Sequence, residues 1–155
     1  MTHADIPHSP AGLHLIENTF RTGGFGRGIG STLGLAGVSA GAGMVVLEGH
    51  PTADHQNPLG SVHGGYLATL LDGAMALALQ TCLDPGMPYA TADLHINFLS
   101  AIQTNAGTVR AEGRVISLGR SRALAEARLL DHEGKLCAFA TGSFSIKREV
   151  SERRT

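Results

Sequence analysis

The strongest pattern in the chain is a helical repeat of apolar residues across residues 65–82. One stripe of the helical projection carries Leu67, Leu70, Leu71, Ala74, Leu77 and Ala78. The opposite side is almost as apolar, and it carries Ala68, Thr69, Gly73, Ala76 and Leu79. Because a helix that is apolar all round is normally buried on every side, the pattern predicts one long central helix. The turn residues at 83–86 end it.

Elsewhere the apolar residues alternate with polar ones, which is typical of half-buried strands. The predicted strands are residues 33–39, 44–48, 90–100, 108–116, 122–130 and 136–146. Short turns at 118–121 and 131–134 join the last three as hairpins, which indicates an antiparallel sheet. One long helix inserted between early strands and a later meander predicts an α+β domain, with a sheet that curls around the helix.

The segments outside this domain are less regular. We divide the chain into an N-terminal arm with a glycine-rich lead-in at 1–32, the domain at 33–147 and a charged C-terminal tail at 148–155. Residues 11–20 are expected to form a short amphipathic helix or a packed arm. Residues 21–43 are rich in glycine but lack the Gly-Lys-Ser/Thr ending of a phosphate loop, so turns and a glycine-bearing strand are expected.

Charge and composition exclude several classes of function. The chain has 12 Lys and Arg residues against 13 Asp and Glu residues, a formal net charge of −1, so nucleic acid is not an expected partner. No apolar run approaches the roughly 18 residues of a membrane helix, so no membrane association is expected. Cys82 and Cys137 show no CxxC or zinc spacing, which predicts free thiols in a reducing, cytoplasmic compartment.

Asp72 is the only charged residue within the predicted central helix. A buried, unpaired carboxylate costs several kcal/mol, so its presence in an apolar helix calls for a partner or a function. A structural aspartate that accepts hydrogen bonds is the commoner fate of such a residue. Here, however, His63, Gly64 and Gly65 lie at the start of the same helix. Glycines there expose backbone N–H groups at the positive end of the helix dipole, where a polarised carbonyl is stabilised.

The segment from Asn57 to Gly65, followed by Leu71, Asp72 and Ala74, resembles the signature of the hotdog-fold acyl-CoA thioesterases. The resemblance is to the group of the phenylacetate-degradation (PaaI-like) and Arthrobacter-type 4-hydroxybenzoyl-CoA thioesterases. It implies an antiparallel sheet of five to six strands wrapped around one long helix. It also implies hydrolysis of an acyl-CoA without a cofactor, in homodimers or dimers of dimers. The motif does not specify the acyl group, which is aryl, phenylacetyl or aliphatic.

The resemblance also implies roles for individual residues. Asp72 would be the general base or the nucleophile, and Gly64 would polarise the thioester carbonyl through its backbone N–H. Asn57 would assist Gly64, His63 would support their loop, and Thr91 would help to place the attacking water. The candidate substrate-binding residues are Gly65, Tyr66, Arg120, Ser121 and Arg122, where the two arginines would grip the CoA phosphates. Solvated arginines and a Tyr66 packed in the core are the alternatives.

Other chemistries have weaker signals. Asp93, His95 and Asn97 share one face of a predicted strand, but no further ligand at a recognisable spacing makes them a metal site. Ser61 lies in no Gly-x-Ser-x-Gly elbow, which argues against a serine hydrolase. Two alternatives to the thioesterase remain: a non-catalytic acyl-CoA-binding module of the same fold, and a hydratase or dehydratase, for which no matching motif is present.

Helix geometry adds an expectation about assembly. Gly64 and Asp72 lie eight residues apart, which is roughly 12 Å along a helix axis, too far for one thioester to contact both. We therefore expect Gly64 of one chain to face Asp72 of another across a two-fold axis, so that each dimer holds two shared sites. The small residues beside Asp72, among them Thr69, Gly73 and Ala76, are expected to let a partner chain approach closely.

Overall fold

A computed structural model describes residues 6–147, so the first five residues of the predicted N-terminal arm and the predicted charged tail at 148–155 lie outside the described residues. Within these residues, three α-helices and six strands follow one another. The helices are α1 (Pro10–Arg21), α2 (Ile29–Thr32) and α3 (Gly64–Gln80). The strands are β1 (Leu35–Gly41), β2 (Met44–Gly49), β3 (Tyr89–Phe98), β4 (Val109–Leu118), β5 (Arg122–Leu130) and β6 (Leu136–Ile146).

All six strands form one antiparallel sheet in the order β1-β2-β4-β5-β6-β3, and α3 packs against it. The predicted α+β architecture is therefore confirmed, and six strands are present. Each strand was predicted to within a few residues. The short helix α2 was not predicted, because the glycine-rich stretch around it gives no apolar periodicity. Cys82 and Cys137 are buried and form no disulfide with each other. In residues 6–147 no helix combines the length and apolarity that crossing a membrane requires.

The sheet can follow α3 closely because its inner face carries very small residues. The buried positions of β4, β5 and β6 that face the helix include Ala111, Gly113, Ala125, Ala127, Ala138, Ala140 and Gly142. The helix supplies the bulk in return, with Leu70, Leu71 and Met75 fully buried. A Cβ placed on Gly113 would lie only 2.8 Å from the backbone nitrogen of Met75 and closer still to the Ala74 carbonyl. Small residues on the sheet and large ones on the helix thus pack together in one core.

The two ends of α3 are fixed by side chains. At its start, the Nδ1 atom of His63 accepts a hydrogen bond from the Gly65 N–H at 2.8 Å, which caps the helix. At its end, the buried Thr81 hydroxyl donates to the Ala78 carbonyl at 2.7 Å and accepts from the Gly43 N–H at 2.8 Å. This second contact joins the helix to the turn between β1 and β2, so α3 cannot slide along the sheet.

One side of α3 is less buried than its sequence predicts. The predicted core stripe is buried as expected, except for Leu77, which is half-buried. On the opposite side, Leu79 is buried, but Thr69, Asp72 and Gly73 are only half-buried in the single chain. The expectation of burial on every side was therefore wrong for one chain by itself, because the sheet covers one side of the helix and the other opens on a cleft.

Strand β3 lies at the edge of the sheet, and among the strands of residues 6–147 it is hydrogen-bonded to β6 alone. Most of its residues are exposed. The prediction of a half-buried strand was wrong in this respect. Leu94 and Phe98 keep 37% and 52% of their surface exposed, although they face the helix side. A bulge between Thr91 and Asp93 also breaks the predicted alternation. The extra residue turns Thr91 toward α3, while Asp93 faces the outside of the sheet.

The N-terminal helix α1 is docked on the rest of the fold. The Ser9 hydroxyl donates to the Asp84 carboxylate at 2.7 Å and accepts from the Gly12 N–H at 3.1 Å, so one side chain caps α1 and fastens it to the turn after α3. At the other end, the Phe20 ring lies directly over Gly37 of β1, where a Cβ would collide with it. Residues 11–20 were expected to form either a short helix or a packed arm. They form a helix, and that helix also packs against the rest of the fold.

Candidate active site

Asp72 of α3 and Thr91 of the edge strand β3 are brought together. The Thr91 hydroxyl donates a hydrogen bond to Asp72 Oδ1 at 2.9 Å, and this is the contact that the β3 bulge makes possible. Within residues 6–147 no other hydrogen bond to the Asp72 carboxylate is found. The second carboxylate oxygen is consequently available to a proton or an electrophile. The structure therefore holds a half-buried carboxylate in a fixed orientation with one free oxygen.

Tyr89 is a neighbour of this pair that the sequence did not reveal. Its ring packs on Phe144 with centroids 6.4 Å apart. Burial raises the pKa of Tyr89 to about 12, and the negative charge of Asp72 contributes to the same shift. The phenol, which is neutral at ordinary pH, therefore also stays neutral above pH 10 and adds no second negative charge beside Asp72. No sequence signal marked it, because a tyrosine at a strand start is unremarkable.

The N-terminus of α3 presents one unused backbone N–H. The Gly65 N–H is taken by His63, whereas no hydrogen bond from the Gly64 N–H is found in the described part of the chain. Both positions are crowded: a Cβ on Gly64 would lie 3.2 Å from the Phe98 ring, and one on Gly65 would lie 2.9 Å from His63 Nδ1. Glycine at both positions therefore lets the rings of Phe98 and His63 pack closely against the start of the helix.

Asn57 organises the loop that leads to the helix. Its side-chain oxygen accepts hydrogen bonds from the Leu59 N–H at 2.9 Å and the Ser61 N–H at 3.2 Å. Its amide nitrogen donates to the Ser61 hydroxyl at 2.8 Å. The loop is then fastened where the His63 N–H donates to the His55 carbonyl at 2.7 Å. Asn57 thus shapes the loop from within, and its role beside Gly64 stays a prediction.

Tyr66 lies apart from Asp72. It is only 4% exposed, its ring lies 4.5 Å from that of His55, and its hydroxyl lies against Gly49. Burial raises its pKa to about 12. Tyr66 therefore sits in the core beneath the loop, and it is not among the residues that line the cleft at Asp72.

Arg120, Ser121 and Arg122 form the exposed turn between β4 and β5. The turn is held by its backbone, since the Gly119 N–H donates to the Arg122 carbonyl and the Ile146 N–H donates to the Ser121 carbonyl. In the chain from 6 to 147, no salt bridge occupies either guanidinium group. Two cations therefore extend from one turn, at a site that the structure does not connect to Asp72.

The face of β3 that carries Asp93, His95 and Asn97 was considered as a metal site, but Asp93 makes hydrogen bonds within the sheet instead. The carboxylate of Asp93 accepts hydrogen bonds from the backbone N–H of Ser143, at 3.2 Å, and from its hydroxyl. Nowhere in residues 6–147 do three His, Cys, Asp or Glu side chains lie close enough to hold a metal ion together. Asp93 instead joins the edge strand to β6 just after the bulge.

A cleft of about 280 Å³ opens beside Asp72 on the half-buried side of α3. Among the described residues that line it, all but Asp72 and Thr69 are apolar, and its walls include Phe25, Ile29, Leu35, Leu47, Gly73 and Leu77. One wall therefore comes from the glycine-rich segment before β1, which sequence reasoning treated only as a connection. Small residues expected to admit a partner chain, such as Gly73, face this segment of their own chain across the cleft.

Comparison with known proteins identifies the family. The profile of the thioesterase superfamily matches residues 59–138, slightly more than half of the chain. Human acyl-coenzyme A thioesterase 13 is 32% identical over 102 residues, which cover 65% of this chain and 71% of that protein. The prediction of a thioester hydrolase is therefore confirmed at the level of the family.

Solved structures agree with the fold. Zebra fish thioesterase superfamily member 2 has a TM-score of 0.74 and 28% identity, covering 87% of this chain and 98% of that one. A variant of the phenylacetic acid degradation protein PaaI from Thermus thermophilus has a TM-score of 0.67 and 31% identity, covering 75% of this chain and 96% of that one. The hotdog fold and the resemblance to PaaI-like proteins are confirmed, and the chain belongs to the thioesterase superfamily.

Proposed function

We propose that this protein hydrolyses an acyl-CoA to the free acid and CoA, with Asp72 as general base or nucleophile. The observation that carries the proposal is the placement of the Asp72 carboxylate, which Thr91 orients at 2.9 Å and which borders an apolar cleft. A thioester is already an activated acyl group. One carboxylate and one donor to the carbonyl therefore suffice for hydrolysis, and no serine triad is needed.

Asp72 can act by two routes. As a general base, it removes a proton from water while the water oxygen bonds to the carbonyl carbon; the carbon–sulfur bond then breaks and the CoA thiolate takes the proton. As a nucleophile, one carboxylate oxygen bonds to that carbon and displaces the thiolate, and water then hydrolyses the resulting anhydride. Either route consumes one water and yields one acid and one thiol.

Gly64 is the proposed donor to the thioester carbonyl. Of the two glycines at the start of α3, only Gly64 keeps its N–H free, because His63 takes that of Gly65. The positive end of the helix dipole adds to the stabilisation of an oxyanion there. Asn57 and His63 hold this loop, and Thr91 helps to place the water at Asp72. On the opposite side of the thioester, Arg120 and Arg122 are the proposed contacts to the CoA phosphates.

The site is proposed to be shared between two chains. In one chain, Gly64 and Asp72 lie about 12 Å apart along α3, so one thioester carbonyl group cannot contact both residues. The free edge of β3 and its exposed Leu94 and Phe98 support pairing with a second copy, since an unpaired apolar edge is a template for another strand. Gly64 of one protomer then faces Asp72 of the other.

The test is release of free thiol from a panel of acyl-CoA substrates. We expect Asp72→Asn and Asp72→Ala to lower kcat by about a hundredfold or more while the protein stays folded. Asp54→Asn is the matched control, because this exposed aspartate lies outside the cleft and should leave turnover unchanged. Near-normal turnover by Asp72→Asn would contradict the proposal. Binding of acyl-CoA without thiol release by the wild type would instead indicate a binding module.

Sharing of the site is tested by mixing two inactive variants. A chain with Asp72→Ala and a chain with Asn57→Ala each lose one half of the site. Heterodimers contain one site with both halves intact, so activity should rise above that of either parent after subunit exchange. Absence of recovery despite demonstrated exchange, or full activity in a monomer, would refute the shared site.

A further inference from the structure

The side-chain amide of Asn57 is held by hydrogen bonds at all but one of its positions. An asparagine amide offers two lone pairs on its oxygen and two hydrogens on its nitrogen. Oδ1 accepts from the backbone N–H groups of Leu59 at 2.9 Å and of Ser61 at 3.2 Å, which uses both lone pairs. Nδ2 donates one hydrogen to the Ser61 hydroxyl at 2.8 Å. Within residues 6–147 no acceptor is found for the second hydrogen, so one N–H of the amide remains available.

These contacts also fix the direction of the amide. Both partners of Oδ1 are N–H donors, so a flipped amide would place its NH₂ group against two donors and is excluded. Ser61 contacts the amide twice, through its backbone N–H to Oδ1 and through its hydroxyl to Nδ2. This pair of contacts uses the edge of the amide that carries Oδ1. The free N–H is therefore the one that points away from Oδ1, and Ser61 sets its direction.

The loop that carries this amide is braced against the fold and leads directly into α3. The Asn57 N–H donates to the Ser61 carbonyl at 2.8 Å, which closes a tight turn. One residue later, the Val62 N–H donates to the Ile102 carbonyl at 2.8 Å and fastens the loop to the segment between β3 and β4. Gly64 follows Ser61 by three residues. The free N–H of the Asn57 side chain and the backbone N–H of Gly64 therefore come from one braced segment.

We propose that Ser61 is a positioning residue for the reaction: its hydroxyl holds the Asn57 amide so that the free N–H points, beside that of Gly64, at the thioester carbonyl. The inference rests on the proposed thioesterase function and adds to it a residue that has no role there. Donors that are aimed in advance at the oxygen that becomes negative stabilise the transition state without reorganisation. Ser61 therefore acts on the rate of hydrolysis and not on the binding of CoA.

The experiment measures thiol release from butyryl-, phenylacetyl- and palmitoyl-CoA. Ser61→Ala removes the hydroxyl and should lower kcat about tenfold at unchanged KM, because one neutral hydrogen bond orients the amide. Ser61→Thr keeps a hydroxyl and should recover most of that loss. Thr104→Val is the matched control, because the Thr104 hydroxyl also accepts a side-chain amide, that of Gln56, at 2.8 Å. The control should leave kcat unchanged.

A second variant, Asn57→Asp, separates the aim of the amide from the structure of the loop. The new carboxylate can still accept from the backbone N–H groups of Leu59 and Ser61, but it has no N–H to donate. We expect kcat to fall about a hundredfold, the usual cost of one lost donor to an oxyanion. In this background Ser61→Ala should cause no further loss, because the two residues act as one unit. A serine that only supports the loop would lower kcat by the same factor in both backgrounds.

Three results would overturn the inference while the thioesterase function stands. They are an unchanged kcat in Ser61→Ala, a near-normal kcat in Asn57→Asp, and an equal loss from Ser61→Ala in both backgrounds. If Ser61→Ala fails to fold, Ser61→Cys takes its place, because a thiol has a similar size but is a weak acceptor. No thiol release by the wild type from any of the substrates would instead overturn the proposed function itself.

Discussion

Gly113→Ala is expected to destabilise the protein severely, although it adds a single methyl group. Gly113 lies on β4 where the helix backbone of α3 comes closest to the sheet. The new Cβ would lie 2.8 Å from the Met75 nitrogen, and closer still to the Ala74 carbonyl, whereas ordinary contact begins at 3.4 Å. Both neighbours are backbone atoms, so no side-chain rotation can relieve the clash. The helix itself has to move away from the sheet.

The size of the effect follows from that movement. A retreat from 2.8 Å to 3.4 Å is at least about 0.6 Å, and a gap of that size forfeits a quarter or more of each dispersion contact. Leu70, Leu71 and Met75 all lose contacts to the sheet together. We therefore expect a loss of about 3 kcal/mol or more, the upper end of the range for overpacked cores. In a chain of this length that lowers Tm by roughly 6–12 °C.

Thermal and urea unfolding measure the effect. Gly41→Ala is the matched control, because Gly41 is also in a strand and its added Cβ would meet only the end of Met44 at 3.8 Å. The control should change the free energy of unfolding by less than about 0.5 kcal/mol. Since Asp72 moves with the helix, turnover by Gly113→Ala should also fall. If the two variants are equally stable, the close approach of helix and sheet does not limit the fold as described.

Three further changes have definite outcomes. Loss of the helix cap in His63→Ala should lower the free energy of unfolding by about 1 kcal/mol, whereas His63→Asn, which can cap, should restore most of it. Replacing Arg120 and Arg122 by alanine should raise KM for acyl-CoA about tenfold at constant kcat, and should not affect a thioester that lacks the nucleotide phosphates. The pKa values of Tyr66 and Tyr89 are raised from 10.0 to about 12 in the folded protein. As the pH rises, these two phenols therefore ionise in the unfolded chain before they ionise in the folded one. Stability should therefore fall between pH 10 and 12, and phenylalanine at both positions should flatten that fall.

The periodicity of the apolar residues was sufficient to predict most of the fold. The central helix and the hairpins of β4, β5 and β6 were predictable because each has a regular apolar repeat and a clear turn at its ends. The candidate carboxylate was also predictable, since Asp72 is a lone charge in an apolar helix. These features depend on local sequence alone. A single chain therefore reveals them without knowledge of what packs against it.

Contacts between distant segments were not predictable in the same way. The bulge after Thr91 adds one residue without any glycine or proline to mark it. A strict alternation therefore placed Thr91 on the same face as Asp93 and His95, whereas it lies on the opposite face, toward α3. Phe25 showed no periodicity, because its neighbours are glycines, yet it lines the cleft. The burial of β3 was overestimated because the sequence does not show which strand lies at the edge. Each error arises from tertiary packing, which the residue pattern does not encode.

The docking of α1 also fixes the conformational freedom of the segment that closes the cleft. Ser9 fastens the start of the helix, Phe20 rests on Gly37, and β1 begins at Leu35. Residues 22–34 therefore form a loop that contains the short helix α2 and is tied at both ends. A tied loop has lost much of its entropy before any ligand arrives, so little more is lost on binding. The N-terminal helix α1 therefore restricts one wall of the cleft beside Asp72, although no α1 residue is among those that line it.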